Sequence, residues 1–115
     1  MIWRVRGPRA FRAFTSARRF RRGPLVLMCC PATETGPPRV AYAIGRRTGG
    51  AVERNRIRRR LRHVVMDHAA QLRPNYQYLV GARSDALRMS PAELTETWVG
   101  LVERAHQDLP ADGQR

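Results

Sequence analysis

The sequence predicts one small α+β domain, in which a mostly antiparallel four-stranded sheet is packed with helices in the order α-β-β-β-α-β-α. Three observations lead to this expectation. Two long segments carry apolar residues at helical spacing, four shorter segments are apolar or alternating, and 115 residues with 43% hydrophobic content can build one modest core. We expect the domain to span residues 1–109, with a flexible tail over residues 110–115.

The first half of the chain predicts a short helix and three strands. Gly7-Pro8 follows a basic lead-in and opens a helix that runs to about Ala17, because proline suits the first helical position. An arginine-rich segment then predicts an edge strand, and a loop rich in Thr, Gly and Pro separates two further segments that we expect to pair antiparallel. The three predicted strands are residues 17–22, 25–30 and 39–47.

A long amphipathic helix is predicted from residue 50 onward. With Gly50 as the N-cap, Glu53 falls at the third helical position, where a carboxylate stabilises the positive end of the helix dipole. Residues at helical spacing further along predict a buried seam. The seam consists of Ile57, Leu61, Val64, Val65, His68 and Leu72.

The second half of the chain predicts a fourth strand and a second long helix. Arg73-Pro74-Asn75 marks a turn, after which residues 76–81 have the pattern of a strand. A strand, a long helix and a strand in succession imply a β-α-β crossover and parallel pairing. Ser90 and Glu93 predict a capping box at the start of the last helix. The core face of that helix comprises Leu94, Trp98, Leu101, Val102 and Ala105.

The distribution of charge predicts a polyanionic partner. The formal net charge is +13, all 22 basic residues are arginine, and seventeen of them lie in residues 1–62 against two acids. Residues 46–62 hold eight arginines against Glu53 alone, whereas a helix that only faces water usually mixes signs. The planar fork of arginine matches phosphate and stacks on bases, so the pattern favours RNA or DNA over a membrane surface. No apolar run approaches the roughly 18 residues of a membrane span.

The arginine-rich stretch has a specific spacing, Gly50-Ala51-Val52-x-Arg54-Asn55-Arg56-Ile57-Arg58-Arg59-x-x-Arg62. It resembles the RNR signature of the bacterial ribonuclease P protein subunit, which reads Asn-Ala-Val-x-Arg-Asn-x-x-Lys/Arg-Arg-x-x-Arg. In that family the signature follows a strand that ends in two basic residues, here Arg46-Arg47. The order of elements resembles the family from about residue 4 to residue 106. Gly50 departs from the usual Asn and Gly45 from the usual Ser; the first change weakens the cap by a few tenths of a kcal/mol.

The resemblance implies a subunit of an RNA-based endonuclease that removes the 5′ leader from precursor tRNA. It also implies a left-handed crossover, catalysis by the RNA subunit with its Mg²⁺ ions, and a protein that is inactive alone, broadens the substrate range and lowers the Mg²⁺ requirement. The positions that match contacts to the catalytic RNA are Arg46, Arg47, Arg54, Asn55, Arg56, Arg58, Arg59 and Arg62. The positions that match the leader-binding groove are Phe11, Val26 and Met28, although Met28 departs from the aromatic or His often found there.

The residues themselves predict no catalytic group and no metal site. Hydrolysis by side chains needs a carboxylate cluster or a positioned acid and base, whereas the histidines are isolated and the acids scattered. The adjacent Cys29 and Cys30 fit neither a C-x-x-C motif nor a framework of bridges, which favours a reducing compartment and a cytoplasmic location. We expect no membrane attachment and no obligate protein partner.

Two other functions remain open on the sequence alone. A ribosomal or ribosome-assembly RNA-binding protein is also small, arginine-rich and mixed in fold, so composition does not separate it from a ribonuclease P subunit. A protein-only nuclease is a third option, without a supporting motif. The RNA that co-purifies with the protein discriminates between the first two.

Overall fold

A mixed sheet of five strands organises the chain in the computed structural model, which describes residues 1–109. The strands are β1 (Trp3–Arg4), β2 (Arg19–Arg22), β3 (Leu25–Pro31), β4 (Arg39–Ala43) and β5 (Tyr76–Ala82). Their order across the sheet is β1-β4-β5-β3-β2. Strands β1 and β5 run parallel to β4, while β3 is antiparallel to both β5 and β2. The central strand β5 therefore joins a parallel half of the sheet to an antiparallel half.

Three α-helices accompany the sheet within the described residues. They are α1 (Pro8–Arg12), α2 (Ala51–Asp67) and α3 (Pro91–Gln107). Short 3₁₀ turns lie at Ala13–Ser16, Arg46–Thr48, Ala69–Gln71 and Ser84–Arg88. The predicted α+β class is confirmed, and the element order after β1 is the predicted one. None of these helices is long and apolar enough to cross a membrane. The predicted flexible tail, residues 110–115, lies outside the described residues.

The predicted number of strands is wrong, because the basic lead-in adds a fifth. In β1, Trp3 pairs with Arg39 and Arg4 with Val40, and the backbone N–H of Trp3 donates to the Pro38 carbonyl at 2.9 Å. Without β1, the outer edge of β4 would present unpaired backbone groups, which proteins usually cover. The sheet is consequently mixed rather than mostly antiparallel.

The predicted antiparallel pairing of β3 with β4 is also wrong, because β5 lies between them. Gly81 of β5 is opposite Val26 on one side and Ala43 on the other. Tyr78 and Val80 of β5 are fully buried, and a central position in the sheet gives such a strand its most complete burial. The crossover from β4 through α2 to β5 is parallel, as predicted. Its handedness stays a prediction of the resemblance.

Helix α2 begins and packs as predicted. Gly50 is its N-cap and Glu53 lies in its first turn. The seam residues that α2 buries are Ile57, Leu61, Val64 and Val65. His68 is instead the half-buried residue that ends the helix, with its Nδ1 atom 3.1 Å from the Val64 carbonyl oxygen, and Leu72 is buried beyond the helix. This seam sets the rotation of α2 about its axis.

Helix α3 confirms the predicted capping box and core face. The Ser90 hydroxyl accepts a hydrogen bond from the Glu93 backbone N–H at 3.1 Å, and Glu93 Oε1 accepts one from the Ser90 N–H at 2.8 Å. The five predicted core residues, Leu94, Trp98, Leu101, Val102 and Ala105, are all buried.

The two faces of the sheet have different coverings. One face packs against α2 and α3 in the main core, to which Leu27 and Val80 belong. Because side chains alternate along a strand, the residues between these point to the opposite face. There Val5, Ala10 and Phe14 form a smaller cluster on part of the sheet. We call the part of this second face that is formed by Val26, Met28, Ala41, Ala43, Leu79 and Gly81 the open face. Three of these residues, Met28, Ala41 and Leu79, also pack against the smaller cluster.

Candidate nucleic-acid interface

A 3₁₀ turn at Arg46–Thr48 leads into α2 and displays the first two candidate arginines. Strand β4 ends at Ala43, so the prediction that the strand continues through Arg46 and Arg47 is wrong. The hydroxyl of the buried Thr48 donates to the Ala82 carbonyl at 3.0 Å and ties the turn to the end of β5. Arg46 and Arg47 are exposed beside this anchor. A fixed backbone therefore carries both guanidinium groups.

The eight predicted RNA-subunit contacts all lie on α2 or on the 3₁₀ turn that precedes it, and we call this set of residues the arginine face. Its members are Arg46, Arg47, Arg54, Asn55, Arg56, Arg58, Arg59 and Arg62. Arg54 and Arg58 are half-buried and the others are exposed. Because the seam holds the opposite side of α2 in the core, these side chains project from a rigid support.

Local contacts orient part of the arginine face. Arg58 Nη1 donates to Asn55 Oδ1 at 2.8 Å, and the Arg62 guanidinium lies 5.6 Å from the centre of the Tyr42 ring. Burial raises the pKa of the Tyr42 phenol, against the opposing effect of the Arg62 charge. The ring is therefore neutral at physiological pH, and Arg62 contacts it through the aromatic ring rather than by pairing with an anion.

The arginine face is not neutralised by acids of the protein. Within residues 1–109 the salt bridges join Arg18 to Asp108 and Arg39 to Glu34, and neither involves this face. Glu53 is the one acid in residues 46–62. Concentrated positive charge that no salt bridge neutralises repels itself, so it favours binding of a polyanion.

Arg60 differs from its neighbours, which the sequence did not reveal. Its Nη1 atom donates to the carbonyl oxygens of Leu87 at 3.0 Å and Met89 at 3.3 Å. The side chain is half-buried and holds the 3₁₀ turn Ser84–Arg88 against α2. Arg60 therefore has a structural role within the same run of arginines.

The predicted leader-binding residues lie on or above the open face. Val26 and Met28 are half-buried on β3, and their neighbours across β5 and β4 are small or aliphatic. Phe14 is buried in the cluster that packs against Met28. Phe11 on α1 touches Phe14, with ring centroids 6.4 Å apart, yet remains 44% exposed. Phe14 anchors the segment to the sheet, and the Phe11 ring keeps surface available for stacking.

Two arginines border the open face, and the sequence interpretation missed them. Arg19 is opposite Met28 and Arg21 is opposite Val26, so both share the face of those residues. Between them, Phe20 is buried in the main core. The alternation Arg19-Phe20-Arg21 is the signal in the sequence, because alternate residues of a strand point to the same face. Through their pairing with β3, Arg19 and Arg21 place positive charge along one edge of the largely apolar open face, and we call them its cationic border.

The described residues offer phosphate-binding groups rather than metal ligands. No group of three or more His, Cys, Asp or Glu side chains that could hold a metal ion occurs in residues 1–109.

Tyr78 is a buried polar residue beside Cys29. Its hydroxyl oxygen lies 2.8 Å from His106 Nε2 and accepts a hydrogen bond from the Arg73 N–H at 2.9 Å. Burial raises the pKa of Tyr78 and of Cys29, so both are neutral core groups.

The fold and this surface define a small basic α+β domain whose long helix presents unneutralised guanidinium groups. The profile of the family described as Ribonuclease P matches residues 3–106. The chain therefore belongs to the ribonuclease P protein family.

Curated relatives carry the name of the same family. The chain is 41% identical to the ribonuclease P protein component of Brucella melitensis biotype 1 over 86 residues, which cover 66% of this chain and 61% of the relative. It is 36% identical to the ribonuclease P protein component of Acidothermus cellulolyticus over 89 residues, or 77% of this chain and 74% of the relative. The match thus spans less than two thirds of the length of the Brucella protein.

Solved structures show the same fold. The RNase P protein of Staphylococcus aureus superposes with a TM-score of 0.76 at 20% identity, covering 90% of this chain and 94% of that chain. The RNase P protein from Thermotoga maritima gives a TM-score of 0.76 at 18% identity, covering 88% and 96%. At these identities the likeness concerns the fold.

Proposed function

We propose that this protein is the protein subunit of a ribonuclease P ribonucleoprotein and assists 5′ maturation of tRNA. The arginine face binds the catalytic RNA, and the open face with Phe11 binds the 5′ leader of precursor tRNA. The observation that carries the proposal is the arginine face itself, which has no salt bridge within residues 1–109 and is mounted on a helix with a buried seam.

The geometry of the arginine face suits a structured RNA. Guanidinium groups bind phosphate oxygens in pairs, and each neutralised phosphate releases counterions. Side chains on the turn Arg46–Thr48 and along α2 reach phosphates over an extended surface. Because α2 is anchored by its seam, little backbone order has to be gained on binding.

The open face suits a single strand rather than a duplex. Its floor is half-buried and largely apolar, Phe11 offers an aromatic ring, and Arg19 and Arg21 supply charge along one side. Stacking on an aromatic ring together with backbone phosphate contacts is the usual way in which proteins bind unpaired nucleotides. A 5′ leader is such a strand.

In this proposal the RNA subunit performs the hydrolysis and holds most of the Mg²⁺ ions. The protein contributes binding: it fixes the geometry of the RNA, reduces repulsion between phosphates and anchors the leader. Such effects broaden the substrate range and lower the Mg²⁺ concentration that cleavage requires. The proposed location is the cytoplasm, in keeping with Cys29 and Cys30 as free thiols.

Reconstitution with the ribonuclease P RNA of the same genome tests the proposal. We expect RNA-free protein to cleave no precursor tRNA, and the RNA with protein to cleave at a lower Mg²⁺ concentration than the RNA alone. A catalytically dead RNA serves as the control. Cleavage by RNA-free protein would instead indicate a protein nuclease. Co-purification with ribosomal RNA and no effect on cleavage would indicate a ribosomal or ribosome-assembly protein.

A further inference from the structure

A second cationic site lies beside β1, and its residues precede those of the arginine face in the sequence. It is a pocket of about 810 Å³, and its lining includes Trp3, Arg4, Arg6, Arg9, Glu34 and Arg39. Four arginines thus meet one acid. Phe11, Val26, Met28 and the arginine face are not among the lining residues.

Arg39 is the buried cation of this pocket. Its side chain is 8% exposed, and its one salt bridge is a long contact of 3.5 Å from Nη2 to Glu34 Oε1. The buried Nε atom has no hydrogen-bond partner within residues 1–109. A guanidinium group carries five N–H donors, and leaving them unsatisfied away from bulk water is costly. Arg39 therefore favours an additional acceptor of negative charge.

Glu34 is a weak competitor for that position. Its side chain is 77% exposed, so water screens its charge and the ion pair contributes little. A phosphate offers more acceptor oxygens than Glu34 supplies through one oxygen at 3.5 Å. An incoming phosphate can therefore displace Glu34 towards solvent.

Trp3 gives the same pocket an aromatic wall. The Arg39 guanidinium lies 5.3 Å from the centre of the Trp3 ring, and Trp3 remains 45% exposed. Gly36, at φ 144°, lies so close that an added Cβ would be 3.0 Å from Trp3 Cζ3. A residue larger than glycine at position 36 would have to displace the Trp3 indole.

Backbone hydrogen bonds hold the pocket in shape. The Trp3 N–H donates to the Pro38 carbonyl at 2.9 Å, which attaches β1 to the start of β4. The Gly36 N–H donates to Asn75 Oδ1 at 2.8 Å, and the Asn75 N–H donates to the Gly36 carbonyl at 2.8 Å. The walls therefore exist before any ligand arrives, which reduces the entropic cost of binding.

We propose that this pocket binds one nucleotide of a single-stranded RNA, with its phosphate at Arg39 and the neighbouring arginines and its base against Trp3. The combination of a buried guanidinium and an exposed indole is specific for a group that is both anionic and aromatic. A base paired in a duplex cannot reach Trp3, so the strand is unpaired at this nucleotide. The site is a third RNA contact, separate from the arginine face and the open face.

Fluorescence of Trp3 in the full chain provides a local test. Trp98 is fully buried, so acrylamide quenches mainly Trp3. The probes are a 5′-phosphorylated pentauridylate, uridine monophosphate and inorganic phosphate. We expect the oligonucleotide to protect Trp3 from acrylamide, with uridine monophosphate and phosphate at least about tenfold weaker. The double variant Arg6→Ala and Arg9→Ala should weaken this protection at least about threefold, since both arginines line the pocket.

Matched variants separate this pocket from the other surfaces. The Arg83→Ala and Arg88→Ala double variant controls for loss of net charge at exposed arginines outside the pocket, and it should leave protection of Trp3 largely unchanged. An oligonucleotide that binds without protecting Trp3, or equal losses in the two double-arginine variants, would overturn the proposal. Equal protection by uridine monophosphate would overturn the assignment to an RNA strand in favour of a free nucleotide. The test needs no catalytic RNA, so its failure leaves the proposed subunit function standing.

Discussion

The arginine face and the open face are both exposed and both basic, but they are built in opposite ways. The arginine face stands on α2 and its preceding turn, where Glu53 is the one acid in residues 46–62 and no salt bridge within residues 1–109 involves these arginines. The open face is assembled from several strands, has an apolar floor and carries its arginines only along one side. The first is suited to many phosphates of a folded RNA, and the second to a few unpaired nucleotides.

This difference means that net charge alone does not distinguish the two proposed RNA-binding surfaces. Affinity for a structured RNA follows the number of phosphates that are neutralised, whereas recognition of a strand also needs rings and apolar surface. Substitutions on the arginine face and on the open face should consequently weaken RNA binding in different assays.

The largest effect is expected on the arginine face. Replacing Arg59 and Arg62 with alanine should weaken binding to the catalytic RNA by roughly a hundredfold, because two charge-assisted contacts are lost. The plot of log affinity against log salt should become shallower by about one to two. Filter binding between low and moderate salt measures both quantities. The matched control is Arg88→Ala with Arg104→Ala, two exposed arginines outside this face; an identical loss there would show that only net charge matters.

A smaller and more selective effect is expected at Phe11. Phe11→Ala should remove a stacking contact worth roughly 1 to 3 kcal/mol, and should weaken holoenzyme affinity for precursor tRNA but not for mature tRNA. Affinities for the two RNAs at fixed salt and Mg²⁺ give the result. Because Phe11 touches the buried Phe14, the thermal midpoint of the variant must first match that of the parent protein. Equal losses for both RNAs in a folded variant would assign Phe11 to the core instead.

The border of the open face should contribute still less. Converting Arg19 and Arg21 to glutamine should weaken leader binding about threefold to fivefold, as expected for exposed charges, and should reduce its salt dependence. Arg22→Gln is the matched control, because Arg22 belongs to the same strand but lies against Gly100 of α3. If Arg22→Gln weakens leader affinity as much as the Arg19 and Arg21 double variant does, the assignment of Arg19 and Arg21 to the open face by strand register is contradicted.

The smallest effect concerns the thiols on the two sides of β3. Cys29 faces the main core, where burial raises its pKa to about 12, while the half-buried Cys30 faces the opposite side. Thiolates are the reactive species, so iodoacetamide at pH 8 should modify Cys30 well before Cys29. Peptide mass spectrometry during a time course distinguishes the two. Equal labelling rates would show that the two faces are equally open.

Burial also makes the neutral Cys29 thiol a contributor to the free energy of unfolding. Because its pKa is raised to about 12, this contribution is present below pH 9 and is lost as the pH rises from about 9 towards 12.

The comparison extends to how far each face was predictable. The arginine face follows from one helical period and a cap at Gly50, both of which are local, and its residues all lie on α2 or on the turn before it. The open face depends on strand pairing, and there the prediction erred: β5 separates β3 from β4, and Arg19 and Arg21 join the face only through their register with β3. Their assignment to leader binding stays a prediction, as does that of Phe11, Val26 and Met28.

Neighbouring arginines show the same limit at the level of single side chains. Arg59 and Arg60 are adjacent in sequence, yet Arg59 is exposed while Arg60 donates to two carbonyl oxygens of the chain that precedes α3. Arg39 was expected to begin a strand and does so, but its burial beside Trp3 depends on β1, which the sequence did not predict. Charge identifies an arginine as a candidate, and its neighbours in space decide its role.

Local patterns in the sequence predicted the two long helices, their caps and buried faces, the α+β class and the concentration of cations on α2. These features depend on interactions over a few residues, where spacing and capping chemistry leave few alternatives. The order of the strands, the fifth strand at the edge of β4, the cationic border of the open face and the pocket around Arg39 became apparent from the folded chain alone. Those features depend on contacts between distant segments, whose pairing is selected by burial of the whole sheet rather than by any local pattern.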